Sequence, residues 1–200
     1  MISNCAKVIA NWLEKNKAIN YEDYELYYYA SYSLLITMLP VFLALIAGGI
    51  MGTPINSLLV ISPFMIIRKY SGGYHAKNVG SCMFFSIIML CIFIWISSHA
   101  AWNEGFIILV LVAASSLCFF SPIESINKEL SHFEKRKYKK TTVCLVVLFL
   151  MLIGGSAYLN LFKVTVSLST GMILTASLQI PCIVQNFRKN IYRALRNECV

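Results

Sequence analysis

Apolar positions fall into six long runs, at about 31–50, 54–67, 82–97, 105–121, 142–160 and 164–185, parted by short polar breaks. A helix that crosses a bilayer needs about 20 apolar residues, with a range of about 17–25. The runs therefore predict an all-α, polytopic transmembrane protein with about six hydrophobic segments. The second run is short and carries Pro63. It fits either a span or a re-entrant or broken helix, which is tolerated only where protein or a wet cavity covers it. Pro40 and Pro181 predict kinks in the first and last runs.

Upstream the pattern changes. Over residues 5–17, Cys5, Val8, Ile9, Trp12 and Leu13 recur at helical spacing, and Lys7, Asn11, Glu14 and Lys15 lie opposite. This predicts an amphipathic helix, lying in the membrane interface or packed on the protein's own cytoplasmic face. Asn20 is positioned to cap a second helix, with Glu22, Asp23 and Glu25 at its positive dipole end. Tyrosines 21, 24, 27, 28 and 29 form an aromatic belt before the first apolar run.

Composition sharpens this. The chain has 200 residues, of which 58% are hydrophobic and only 13% charged. A soluble domain runs nearer half apolar and a quarter charged, so lipid is the expected solvent for much of this surface. The first 30 residues lack the basic tip and apolar run of a cleavable signal peptide, so the first span is expected to be an uncleaved anchor. The seven cysteines are odd in number and lie mostly in apolar runs, which argues against a disulfide scaffold.

The net charge of +8 raises the question of nucleic acid, and its distribution answers it. Three basic residues precede the first span (Lys7, Lys15, Lys17) and three follow the second (Arg68, Lys69, Lys77). Six follow the fourth (Lys128, Lys135, Arg136, Lys137, Lys139, Lys140) and four follow the sixth (Arg188, Lys189, Arg193, Arg196). In a six-span chain all of these share one side, and the other side holds Lys163 alone. The positive-inside rule makes that shared side cytoplasmic. The expectation is a single integral membrane domain over 1–200. It has cytoplasmic or interfacial helices at 1–30, a glycine-rich segment at 68–81, a basic loop at 122–141 and both termini inside. Topology accounts for the charge without nucleic acid.

The break at 68–82 carries the candidate chemistry. It reads Arg68-Lys-Tyr-Ser-Gly-Gly-Tyr-His-Ala-Lys-Asn-Val-Gly-Ser-Cys82. A thiol and an imidazole are the minimum for covalent acyl transfer. Cys82 should open a helix capped by Ser81 or Asn78. Unpaired amides there lower a thiol's pKa and can hold an oxyanion. His75 would be its base. On one unbroken helix the pair would lie about 10.5 Å apart along the axis, so the chain must bend, which Asn78 and Gly80 permit. Gly72 and Gly73 let the backbone approach a bound peptide. Spacing alone leaves a headgroup-facing loop as an alternative. Two neighbouring ligands are too few for a structural zinc site, so no metal is expected. Cys91, Cys118, Cys144 and Cys182 fit apolar packing. His99 and His132 lie in other loops.

The run from Arg68 to Ala76, followed by Cys82, resembles the signature of the accessory gene regulator protein B (AgrB) family of bacterial membrane cysteine endopeptidases. The layout of polar N-terminus, paired spans, basic central loop and short tail is also similar. The resemblance implies that the chain, with no cofactor, removes the acidic C-terminal part of an AgrD-like quorum-sensing propeptide at the inner membrane face. It also implies help in forming a cyclic thiolactone or lactone. Cys82 would be the nucleophile, His75 the general base, and Arg68, Gly72 and Gly73 supporting positions. No acidic third member is identifiable beside the pair. A thioester on Cys82 can exchange with a substrate thiol near energetic balance, provided water is excluded.

Lys135, Arg136, Lys137, Lys139 and Lys140 have two readings, a topology anchor on anionic lipid or a cradle for the propeptide's acidic tail. Besides the propeptide and the bilayer, a homodimer is a further partner, weakly supported by Gly48, Gly49 and Gly52. The alternative class is a non-enzymatic carrier or peptide exporter. Carriers usually place ionisable groups mid-span, and no Asp, Glu, Lys or Arg falls mid-span here. A sensor domain detached from its kinase would need a partner for output.

Overall fold

The computed structural model describes residues 2–71, 79–123, 131–181 and 183–184. Secondary structure among them is entirely helical, in agreement with the all-α expectation. The order is α1 (Ile2–Lys15), a single 3-10 turn (Tyr21–Asp23), α2 (Tyr24–Ile50), α3 (Pro54–Ser71), α4 (Val79–His99), α5 (Glu104–Phe120), α6 (His132–Tyr158) and α7 (Phe162–Ser177). Each of the six apolar runs falls largely within one of the helices from α2 to α7. Residues Tyr21–Ile50 and Phe133–Tyr158 are long and apolar enough to cross a membrane by length and composition.

The helices from α2 to α7 alternate in direction: Thr53 before α3 meets Ser98 near the end of α4, while Ser71, Ile123, Tyr138 and Gln179 gather at the other end. Between α2 and α3, Gly52 takes a left-handed φ of 68°, and Thr53 N–H donates to the Gly48 carbonyl at 2.7 Å. A side chain is strained in that conformation, so glycine sets the tight reversal. Asn103 caps α5, its Oδ1 accepting from Phe106 N–H at 2.9 Å. Ser156 and Thr165 share a 2.8 Å hydrogen bond that fixes the register of α6 against α7.

The centre of the bundle is the α3–α7 pair. From Thr165 to Met172 every residue of α7 is buried, because α3, α4, α5 and α6 all pack around it. Most of its hydroxyls bond back to their own helix: among them Ser167 to the Lys163 carbonyl at 2.8 Å, Thr170 to Val166 at 2.6 Å and Thr175 to Gly171 at 2.8 Å. These three thereby enter an apolar interior with their polarity satisfied, whereas the buried Ser169 Oγ has no partner among the described residues. Small residues also allow close approach, which is what drives helix association when the surroundings are as apolar as the helices. Gly171 lies directly against the Val60 carbonyl and the Pro63 ring of α3. On one side of this seam Ile67, Leu117 and Met172 form one core, and on the other Val60, Phe64, Ile94 and Leu174 form a second.

Several expectations are refined. The second apolar run is one continuous helix through Pro63, about 27 Å long, and not a broken one. Pro181 acts earlier in the chain than its own position: α7 ends at Ser177, four residues before it. Proline cannot donate to that carbonyl, and its ring clashes with it. The basic stretch expected as a loop at 122–141 is helical from His132 onward. The cause is a capping box that pattern reading missed. Ser131 Oγ accepts from Phe133 N–H, and Glu134 Oε2 accepts from Ser131 N–H at 3.0 Å. In α1 the packed face is Ala6 and Ala10 against α2, with Tyr24 donating to Asn11 Oδ1 at 2.8 Å. Val8 and Trp12 stay 66% and 63% exposed. Alanine, neutral in a hydrophobic pattern, is what permits the close contact.

Candidate active site

The site is built at the end of the bundle where α3, α5 and α7 finish and α4 and α6 begin. Arg68 and Lys69 occupy the last turn of α3, where cations suit the negative dipole end. The Arg68 guanidinium lies over the Phe64 ring, 5.1 Å from its centroid. Lys69 Nζ stands 5.7 Å from the Tyr70 ring centre. Tyr70 in turn meets Tyr138 of α6 edge-to-face, with centroids 6.1 Å apart.

Ser71, the last residue of α3, is fully buried. Its carbonyl is one of the orphan acceptors that every helix leaves at its C-terminus. Ile123 N–H, from the turn after α5, donates to it at 3.0 Å. Gln179 Nε2, from the turn after α7, reaches it at 3.4 Å and donates to Ser121 Oγ at 2.8 Å. Because the carbonyl accepts only, the amide nitrogen must face it, which fixes the orientation of the Gln179 head. Gln179 Oε1 then points elsewhere and has no partner, in a residue only 1% exposed. A buried acceptor left unpaired costs about 1–3 kcal/mol.

Gln179 is the residue that sequence reasoning missed. Its signal was present: an amide inside an apolar run needs a reason to be there.

Of the predicted site residues, Arg68 lies on the last turn of α3. Cys82 belongs to α4, the fourth residue from its start at Val79. The described part of the expected 68–81 segment is thus helical at both ends. Gly72, Gly73 and His75 lie outside the described residues, as does the Cys82 side chain. Lys135, Arg136, Lys137, Lys139 and Lys140 lie on the opening turns of α6. All except Lys135 are exposed. The Tyr70–Tyr138 contact sets these turns beside the end of α3.

The charges of α6 sit at the positive end of its dipole, where cations disfavour the helix. Glu134 and the capping box offset part of this. Helix stability therefore does not explain the cluster, and the dipole adds to its positive field.

His99 ends α4 about 25 Å from Cys82 along the axis. Its ring stacks on Trp95 at 4.8 Å and its Nδ1 lies 2.9 Å from the Trp95 carbonyl. Among the described residues no group of three His, Cys, Asp or Glu is placed to hold a metal. Cys5, Cys91, Cys118 and Cys144 are free thiols.

A profile of the accessory gene regulator B family matches residues 6–183 of this chain. An AgrB-like protein of Clostridium perfringens strain SM101 / Type A is 26% identical over 203 residues, covering 96% of this chain and 94% of its own. AgrB-like protein 2 of Clostridium perfringens strain 13 / Type A is 27% identical over 161 residues, covering 76% and 75%. No solved structure matches.

Proposed function

The chain belongs to the accessory gene regulator B family of membrane proteins, which ties it to agr quorum-sensing peptide processing. On that premise we propose that it is a cysteine endopeptidase acting on a quorum-sensing propeptide at the cytoplasmic face. The observation that carries the reading is the junction at the end of α3. The segment linking α3 to α4, which holds His75, leaves from a buried and hydrogen-bonded carbonyl. Beside that departure point stand the basic turns of α6.

In the proposed reaction His75 takes the Cys82 proton, and the thiolate attacks the scissile carbonyl. The opening amides of α4 favour the resulting oxyanion. His75 returns the proton to the leaving amine, and the acidic C-terminal fragment departs. The remaining N-terminal fragment is a thioester on Cys82. A thiol within that fragment attacks the thioester carbonyl, closes a thiolactone and releases the Cys82 thiolate; a substrate hydroxyl would give the lactone. One thioester forms as another breaks, so this exchange step is near energetic balance; the uphill step is the earlier conversion of the peptide bond into the Cys82 thioester. Arg68, Gly72 and Gly73 support the segment. Lys135, Arg136, Lys137, Lys139 and Lys140 receive the acidic tail.

The test is reconstitution of the full chain with a propeptide bearing an acidic tail. Cys82→Ala and His75→Ala should each abolish release of the tail. In the parent, an N-terminal fragment should be trapped on Cys82 as an acyl-enzyme. Normal cleavage by either variant overturns the reading.

A further inference from the structure

We infer that Gln179 is a positioning residue for the peptidase chemistry, acting through the carbonyl of Ser71; the inference rests on the function proposed above.

First, Gln179 joins three parts of the fold that are far apart in sequence. Its Nε2 reaches Ser71 of α3 at 3.4 Å and Ser121 after α5 at 2.8 Å, while Gln179 itself follows α7. Ser71 is the last described residue before the segment that carries His75, and its carbonyl belongs to the peptide bond that joins that segment to α3.

Second, satisfying Ser71 does not require Gln179. Ile123 N–H already donates to the same carbonyl at 3.0 Å. A second donor, from an independent direction, adds little satisfaction but restricts where the carbonyl can point. Two donors from two elements define an orientation that a single donor leaves free to pivot.

Third, stability alone would favour an apolar residue. Gln179 is 1% exposed and carries an unpaired Oε1. Thr142 of α6, also fully buried, has an unpaired Oγ1. Thr142 and Gln179 lie the same number of residues from the Ser156–Thr165 bond along antiparallel chains, so they stand at about the same depth. Geometry at Ser71 gives Gln179 a reason to be there. Pro181 contributes by ending α7 at Ser177, so that Gln179 lies in a turn and not in the regular helix.

A positioning residue should govern the rate of acylation and leave substrate binding largely alone. The experiment is single-turnover acylation of Cys82 in the full chain, reconstituted in neutral-lipid vesicles with the acidic-tailed propeptide, at varied propeptide concentration. Gln179→Met conserves volume and removes both donors. It should slow acylation by about 10- to 100-fold, as small misplacements of reacting groups do, with the half-saturating propeptide concentration within about twofold of the parent. Ser121→Ala, a smaller change, should slow the same step by a lesser factor. The double variant should be no slower than Gln179→Met, because both act through one amide.

An unchanged acylation rate in Gln179→Met overturns the inference, and so does a change confined to half-saturation, which would make Gln179 a substrate contact. If Gln179→Met does not fold, Ser121→Ala decides: an unchanged rate overturns the inference, and a slower rate at unchanged half-saturation supports it. Cys82→Ala runs alongside. If it still cleaves, the peptidase reading has failed. If it is inactive while Gln179→Met is normal, only the positioning role has failed.

Discussion

At the scale of single residues, two small positions show how much a side chain's neighbourhood decides. A Cβ on Gly171 would run into the Val60 carbonyl and the Pro63 ring, whereas one on Gly154 would meet nothing within 4 Å. Both are glycines in apolar helices and look alike in sequence. Gly171→Leu should therefore destabilise the purified protein by about 1–3 kcal/mol, as overpacking does. Gly154→Leu should stay within about 0.5 kcal/mol of the parent, as substitutions away from such contacts do. Thermal unfolding in detergent, monitored by helical circular dichroism, checks both. Equal effects would mean that the α3–α7 seam is looser than its geometry implies. Gln179 is the polar counterpart. Its presence in an apolar run was legible, but its partners were not. Ser71 and Ser121 lie 108 and 58 residues away in the chain, and one sequence contains nothing that links them.

At the scale of elements, helix existence was readable because long apolar runs leave little alternative. Helix ends were not, because they depend on capping chemistry. Ser131 and Glu134 turned an expected loop into the opening of α6, and Pro181 ended α7 at Ser177. The correction at α6 matters for function, since a helix holds Arg136, Lys137, Lys139 and Lys140 at fixed angles where a loop would let them diffuse. Combined with the positive dipole end, this gives an ordered cationic surface, which is the proposed cradle for the acidic tail. Replacing Lys135, Arg136, Lys137, Lys139 and Lys140 together by Gln should raise KM for the acidic-tailed propeptide about tenfold or more at low salt. The parent and the variant should converge near 1 M salt, where the Debye length is about 3 Å. Steady-state cleavage in neutral-lipid vesicles measures this. A parent KM that does not respond to ionic strength would leave the cluster as a topology anchor only.

At the scale of the whole molecule, the described fold packs α7 against α3, α4, α5 and α6 and leaves large apolar side chains outside. Ile50, Phe119 and Tyr158 are 83%, 79% and 88% exposed. Water would penalise such a surface, whereas lipid does not. Composition made the need for lipid legible. The central place of α7 was not, because its serines and threonines lower its hydropathy, and only the packed structure shows that most of them bond inward to their own helix. The antiparallel order of α2 to α7 also fixes a testable consequence. Lys163 lies in the first turn of α7, beside the end of α6, and Lys137 lies at the opposite end of α6. If the bundle crosses the bilayer with its basic end inside, single cysteines at these two positions must react from opposite sides. In a chain whose own cysteines are replaced by serine, Lys163→Cys should label with an impermeant maleimide on intact cells. Lys137→Cys should label only after the membrane is opened. Labelling of both from outside would rule out the proposed cytoplasmic site and, with it, the access of a newly made propeptide to Cys82.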